Sequence, residues 1–204
     1  SIAGLKDAQE HVVYTPDEAY YISGTRLYRF NDRWYIYYSS DDGDLSRRSV
    51  HVLENTSQDP LKGEFVHKGI IHTGNQKSFH PSVFEHKDNL YFFWSGYDAS
   101  KKSGIDVSHI YVSRMSDPWT LDSAPVAILS PQYEWECQWM SENGLVGERP
   151  SYVNEAPQAI YSRDSTKVLL YFAASETYTS YYCEGMAVAD ADGDLTDPSL
   201  WKKL

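Results

Sequence analysis

Leu27-Tyr28-Arg29-Phe30-Asn31-Asp32-Arg33-Trp34-Tyr35-Ile36-Tyr37-Tyr38-Ser39 reads as two strands around a tight polar turn. β-branched and aromatic residues flank Asn-Asp, a pair that tolerates the positive φ a hairpin turn requires. The same plan recurs twice. Val83-Phe84 and Leu90-Tyr91-Phe92-Phe93-Trp94-Ser95 flank a turn around Asp88-Asn89, and Ala159-Ile160-Tyr161 and Val168-Leu169-Leu170-Tyr171 flank one around Asp164-Ser165. Each hairpin is followed by a further apolar segment and then by Asp-Pro, at Asp59-Pro60, Asp117-Pro118 and Asp197-Pro198. The two landmarks keep pace. Tyr35 to Tyr91 spans 56 residues and Asp59 to Asp117 spans 58, while Tyr91 to Leu170 spans 79 and Asp117 to Asp197 spans 80. A unit of three or four strands repeating at this period is a β-propeller blade. A two-sheet sandwich also admits hairpins, but it does not account for an Asp-Pro at fixed pace. The expected fold is all-β: one propeller domain over residues 1–204, with blade-like units near 20–75, 76–130 and 150–204. An insertion over 130–150 lengthens the third unit.

Composition narrows the partners. With 18 Lys plus Arg against 29 Asp plus Glu, the formal net charge is −11. No basic run exceeds two residues, so the chain lacks the cationic face that nucleic-acid binding uses. The longest apolar stretch, Val168 to Ala174, is far short of the roughly 20 residues that span a bilayer. Neither nucleic acid nor a membrane is expected as a partner. Tyr, Phe and Trp supply 15% of the residues. Most must fill a β-rich core, but Tyr and Trp also suit half-wet sites that receive neutral ligands such as sugars. No metal or cofactor is expected. Cys137 and Cys183 fit no zinc spacing, leaving one long-loop disulfide or two buried thiols. Asp41-Asp42-Gly43-Asp44 lacks the closing glutamate of a calcium loop and reads as a solvated turn. Asn55-Thr56-Ser57 is a formal glycosylation acceptor and hints at secretion.

Several stretches then appear in a telling order: Trp34-Tyr35-Ile36-Tyr37-Tyr38, Trp94-Ser95-Gly96, Met115-Ser116-Asp117-Pro118-Trp119, Trp135-Glu136, Asn154-Glu155-Ala156-Pro157, and Asp197-Pro198 through Trp201-Lys202. Together they resemble glycoside hydrolase family 43, in the clade of α-L-arabinofuranosidase and β-xylosidase-like enzymes. The resemblance implies a five-bladed propeller and hydrolysis with inversion, using a general base, a general acid and an aspartate that orients and tunes the acid. It also implies a secreted protein acting on arabinose- or xylose-containing polysaccharide. The chain is expected to start after the first blade, which holds the base, and to stop before the last. Missing blades or a second chain would then close the ring.

Carried over by position, Glu155 is the general acid, in a Glu-Ala-Pro where the family has Glu-Gly-Pro. His80, in Phe79-His80-Pro81-Ser82-Val83, stands where the family carries its orienting aspartate. Ser23-Gly24-Thr25-Arg26 replaces a Trp-Ala-Pro-Glu-like motif, making Arg26 a pocket residue or an ordinary surface arginine. Trp94 and Trp135 are candidate sugar platforms, with Trp94 better suited to the core, Trp135 the better ligand contact, and Trp139 a further aromatic on the insertion. The departures at 23–26 and 80 keep a second reading open: a non-catalytic, carbohydrate-binding or interaction propeller.

Overall fold

The computed structural model describes residues 2–17, 20–75, 77–102, 105–138 and 151–204. Trp139 and the insertion from 139 to 150 lie outside the described residues. Three antiparallel units follow one another along the chain, each with four strand positions from inner to outer edge. The first is β1 (Tyr20–Phe30), β2 (Arg33–Asp41), β3 (Ser49–Asn55) and β4 (Val66–Ile71), hydrogen-bonded in that order. The second is β5 (Lys77–His86), β6 (Asn89–Lys102) and β7 (Ile105–Asp117), against which the short β8 (Thr120–Leu121) and the outer β9 (Val126–Leu129) both pair. The third is β10 (Tyr152–Tyr161), β11 (Lys167–Ala174), β12 (Cys183–Asp190) and β13 (Lys202–Lys203). These are the three blades that the repeat predicts. One pairing is not legible in the repeat. The start of β10 runs parallel to β7, Tyr152 opposite Val107 and Val153 opposite Ser108, which joins the second and third blades into one path.

The landmarks acquire physical causes. Asn31 and Asp32 turn the first hairpin at φ 48° and 60°, and Lys87 and Asp88 turn the second at 48° and 63°. The second turn thus sits one residue earlier than Asp88-Asn89, because Asn89 already pairs with His86. At all three Asp-Pro sites the aspartate accepts a hydrogen bond from the amide two residues on. Asp59 takes that of Leu61 (3.0 Å), Asp117 that of Trp119 (3.0 Å) and Asp197 that of Ser199 (2.9 Å). The side chain satisfies a donor where Pro interrupts the ladder.

β6 is apolar without interruption from Leu90 to Trp94 because the middle blade is covered on both faces. Phe92 and Trp94 pack with Tyr35, Tyr37, Val52 and Tyr111 toward the first blade. Tyr91 and Phe93 pack with Val168, Leu170, Phe172 and Trp201 toward the third. Cys137 and Cys183 are half-buried and not joined in a disulfide, which removes that alternative. Asn55 is buried, its amide nitrogen donating to the Lys62 carbonyl at 2.9 Å, so it is spent inside a turn rather than offered for glycosylation.

A polar cluster ties the third blade together beneath β10. Glu136 is fully buried and Lys203 nearly so, and they form a short ion pair. Asn154 donates to Glu136 Oε1 (2.9 Å) and accepts from Lys203 Nζ (2.8 Å), while Lys203 also donates to the Ser130 carbonyl (2.7 Å). Glu136 Oε2 accepts the amides of Gln132 and Tyr133. Removing one member leaves the other charge buried and uncompensated, a larger cost than replacing both. Lys203→Met should therefore cost about 3–5 kcal/mol. Lys203→Met combined with Glu136→Gln should recover a large part of that in urea unfolding, since the amide still accepts both backbone donors. A double variant no more stable than the single would contradict this role for the pair.

Candidate active site

The three innermost strands share one irregularity. Between Ser23 and Arg26 on β1, Phe79 and Ser82 on β5, and Glu155 and Gln158 on β10, the register slips by one residue. The first residue inside each slip is left-handed: Gly24 at φ 63°, His80 at 51° and Ala156 at 53°. Such bulges bend a strand and re-aim its side chains. They also bring the strands together. A Cβ at Gly24 would stand 3.0 Å from the Cα of His80. Each later bulge is pinned by a serine of the preceding blade: the His80 amide donates to Ser39 Oγ (3.0 Å) and the Ala156 amide to Ser95 Oγ (2.9 Å). Pro81 and Pro157 follow, at positions where a bulge leaves no ladder bond to donate.

Glu155 and His80 meet at this junction. Glu155 is 6% exposed, and its Oε1 accepts from the Tyr182 hydroxyl (2.8 Å) and Thr177 Oγ1 (3.3 Å). Its Oε2 lies 3.8 Å from His80 Nδ1. Burial raises the Glu155 pKa, with a smaller contribution from Glu176, against the hydrogen bonds from Tyr182 and Thr177 that lower it. His80 goes the other way. Burial, then the positive charges of Arg26 and Arg48, push it down to about 4, so the imidazole is neutral near pH 7. The contact with Glu155 is therefore not an ion pair there, and Nδ1 is buried with no hydrogen-bond partner among the described residues. The result is a carboxyl biased toward its acid form beside a neutral imidazole able to accept a hydrogen bond.

Arg26 stands on the rim, its guanidinium bonded to the Thr25 carbonyl. It lines a cavity of about 410 Å³ with Ala156, Gln158, Tyr182 and Glu184. Arg48 is neutralised by Asp41, with Nε and Nη2 donating to Oδ2 at 3.1 and 2.9 Å, and it covers the ring of Tyr21 at 4.2 Å. Asp42 is paired with Arg47, and Asp44 caps Ser46, so this acidic tract is occupied by its own turn.

The tryptophans sit elsewhere. Trp94 is 0% exposed, stacked between Phe92 and Tyr111, and its indole nitrogen donates to Asn75 Oδ1 at 2.8 Å. With no face open to a ligand, it is a core residue and not a sugar platform. Trp135 stacks on Tyr133 and Phe172 and lines a cavity of about 530 Å³ with Gly185, Met186 and Leu204, which adjoins the Arg26 cavity through Tyr171, Cys183 and Glu184. No hydrogen bond or ring contact among the described residues joins it to Glu155. Tyr182 and Thr177, which hold Glu155, escaped the sequence reading. Their one signal was the run Thr177-Tyr178-Thr179-Ser180-Tyr181-Tyr182, on the loop from β11 to β12 beside the start of β10.

Residues 7–204 match the sequence profile of glycosyl hydrolases family 43. The chain belongs to that family. It is 33% identical over its whole length to an extracellular exo-alpha-(1->5)-L-arabinofuranosidase of Streptomyces chartreusis, covering 58% of that protein. It is 29% identical to alpha-L-arabinofuranosidase 43 of Humicola insolens, covering 40%. Among solved structures, the alpha-L-arabinofuranosidase of Lactobacillus brevis superposes on the entire chain with a TM-score of 0.83 at 26% identity, with 62% of that chain covered. The endo-arabinase of Bacteroides thetaiotaomicron shares the fold at 20% identity and a TM-score of 0.64. This family 43 chain thus spans less than two thirds of the length of these relatives.

The left-handed alanine beside the acidic residue carries a cost. An L-residue with a Cβ is disfavoured by roughly 1–2 kcal/mol in this conformation, which glycine adopts freely. Ala156→Gly should stabilise the family 43 chain by about 1 kcal/mol, seen as a higher urea midpoint at unchanged slope. A lowered midpoint would mean that the alanine methyl makes packing contacts worth more than the strain.

Proposed function

We propose that the chain acts on arabinose-containing polysaccharide outside the cell, as a glycoside hydrolase in which Glu155 is the general acid of an inverting reaction. One observation carries the reading: a buried carboxyl with a raised pKa sits where the bulged inner strands of three blades converge. A general acid must hold a proton at working pH and deliver it to the leaving oxygen. Tyr182 and Thr177 occupy Oε1, so Oε2 is left to carry that proton. His80 Nδ1, neutral and unpartnered among the described residues, is the group placed to accept a hydrogen bond from it or from a sugar hydroxyl. Inversion further needs a carboxylate base roughly 6.5–9.5 Å from the acid, holding water on the opposite face of the sugar. That second carboxylate is left unassigned. Arg26 is read as a pocket residue that donates to substrate, and residues 1–204 as one propeller domain. The kinship with arabinofuranosidases, one of them named extracellular, supports the substrate class and the location.

The other reading is a propeller that binds the sugar without cleaving it. His80 favours it. A neutral imidazole does not raise the pKa of a neighbouring acid by like-charge repulsion, as a carboxylate in that place does. Hydrolysis of an aryl α-L-arabinofuranoside separates the two. As an enzyme, the chain should lose at least about 10²-fold in rate on Glu155→Gln while still binding sugar. Undiminished turnover by that variant would remove Glu155 as the acid, and an inert wild type that binds arabino-oligosaccharide would favour the binding module.

The pH profile provides a second test. Activity that depends on protonated Glu155 is present below its pKa and lost as pH rises through it. The Tyr182 hydroxyl donates to the carboxylate and so lowers that pKa. Tyr182→Phe should therefore move the alkaline limb of kcat/KM to higher pH. A shift to lower pH, or none, would show that the limb reports another group.

A further inference from the structure

Two histidines meet on the two outer strands of the first blade and take no part in the site around Glu155. His51 lies on β3 and His67 on the edge strand β4. A bulge brings them together. Val52 pairs with Gly69 but Leu53 pairs with His67, so Lys68 is the extra residue. Without that slip Lys68 would stand opposite Leu53, and His67 would point to the other face of the sheet. With it, His67 shares the face of Leu53 and of His51, which is two residues earlier on the same strand. His51 Nδ1 and His67 Nε2 then stand 3.1 Å apart. Lys68 is drawn to the opposite face, where its Nζ meets Glu54 Oε2 at 3.2 Å.

The two rings are oriented as metal ligands are. His51 stacks on Tyr38, with centroids 5.1 Å apart and planes within 19°, which fixes the plane of its ring. Ser49 Oγ lies 3.3 Å from His51 Nε2 and can accept the proton of that nitrogen. This tautomer leaves the Nδ1 lone pair facing His67, the arrangement in which a ligating histidine is held by its other nitrogen. His67 is exposed, so water can satisfy its Nδ1–H while Nε2 turns a second lone pair into the gap. Two imidazole nitrogens bound at about 2.1 Å to one ion, at an angle between roughly 90° and 110°, stand about 3.0–3.4 Å apart. The observed separation falls inside that range. We propose that His51 and His67 form a binding site for a late first-row divalent metal ion of the kind that imidazole suits: copper, nickel or zinc. No third His, Cys, Asp or Glu joins them among the described residues, so water fills the remaining positions. An ion held by both nitrogens cross-links β3 to β4 and clasps the edge strand of the first blade.

Isothermal titration of the full chain with nickel chloride tests it, beside thermal unfolding with and without the ion. Wild type should take up Ni²⁺, and saturating Ni²⁺ should raise its unfolding midpoint, because an ion that binds only the folded state stabilises that state. Because His67 is exposed, His67→Ala should fold as the wild type does, which far-UV circular dichroism checks. Ser49→Ala keeps both ligands but loses the group that sets the tautomer, so it should bind Ni²⁺ about tenfold more weakly. His67→Ala removes a ligand and should weaken binding by more than that, with no rise in midpoint. His67→Gln, closer in size to the histidine, should behave as His67→Ala does. Mg²⁺, which prefers oxygen ligands, should neither bind at the pair nor raise the midpoint. A wild type that takes up no Ni²⁺ overturns the site. So does Ni²⁺ affinity, or a rise in midpoint, that survives undiminished in both His67 variants.

Discussion

The hydrogen bond from a bulge amide to a serine of the preceding blade is the contact on which the site depends. A left-handed residue in an inner strand turns its amide out of the ladder, and a buried amide without a partner is costly. Ser39 and Ser95 supply that partner for His80 and Ala156. Each serine directly follows the aromatic run of its own hairpin, so the register of one blade sets where the next blade's bulge can sit. The bulge then decides which side chain faces the axis. Glu155 precedes Ala156 and His80 occupies the matching bulge one blade earlier, so the two groups meet although 75 positions separate them in the chain.

Around that junction, charge is managed by burial more than by pairing. Desolvation is the largest influence on both Glu155 and His80, and it pushes each toward its neutral form. Real ion pairs lie just outside: Arg48 with Asp41 on the first blade and Lys203 with Glu136 under the third. The second of these reaches the site through Asn154, whose side chain is locked between the two charges while the next residue is Glu155. Burial biases this carboxyl toward its acid form even with histidine, in place of a carboxylate, at position 80.

The blades were legible because their signals are local and repeated. Alternation along β11 and the continuous apolar run of β6 report one and two buried faces, and each Asp-Pro caps its own turn within two residues. Glu155 was legible through its Glu-Ala-Pro setting. Trp94 was ambiguous for a physical reason: an indole on a strand next to the site suits a core or a platform. Only the packing shows that both its faces are taken, by Phe92 and Tyr111. Asn55 likewise looked like a surface acceptor until its amide proved to be bonded inside the turn.

The amino-acid sequence by itself determined the strands, their turns and the grouping into blades. All of these rest on contacts within a few residues or on a period that repeats. The tertiary structure alone decided the partners. Tyr182 and Thr177 reach Glu155 from a loop 22 to 27 residues away. His80 lost its charge to burial, and Trp135 was turned toward Phe172 instead of Glu155. A side chain's environment depends on which blades close around it, and that geometry is set by bulges and backbone angles that no short stretch of sequence spells out.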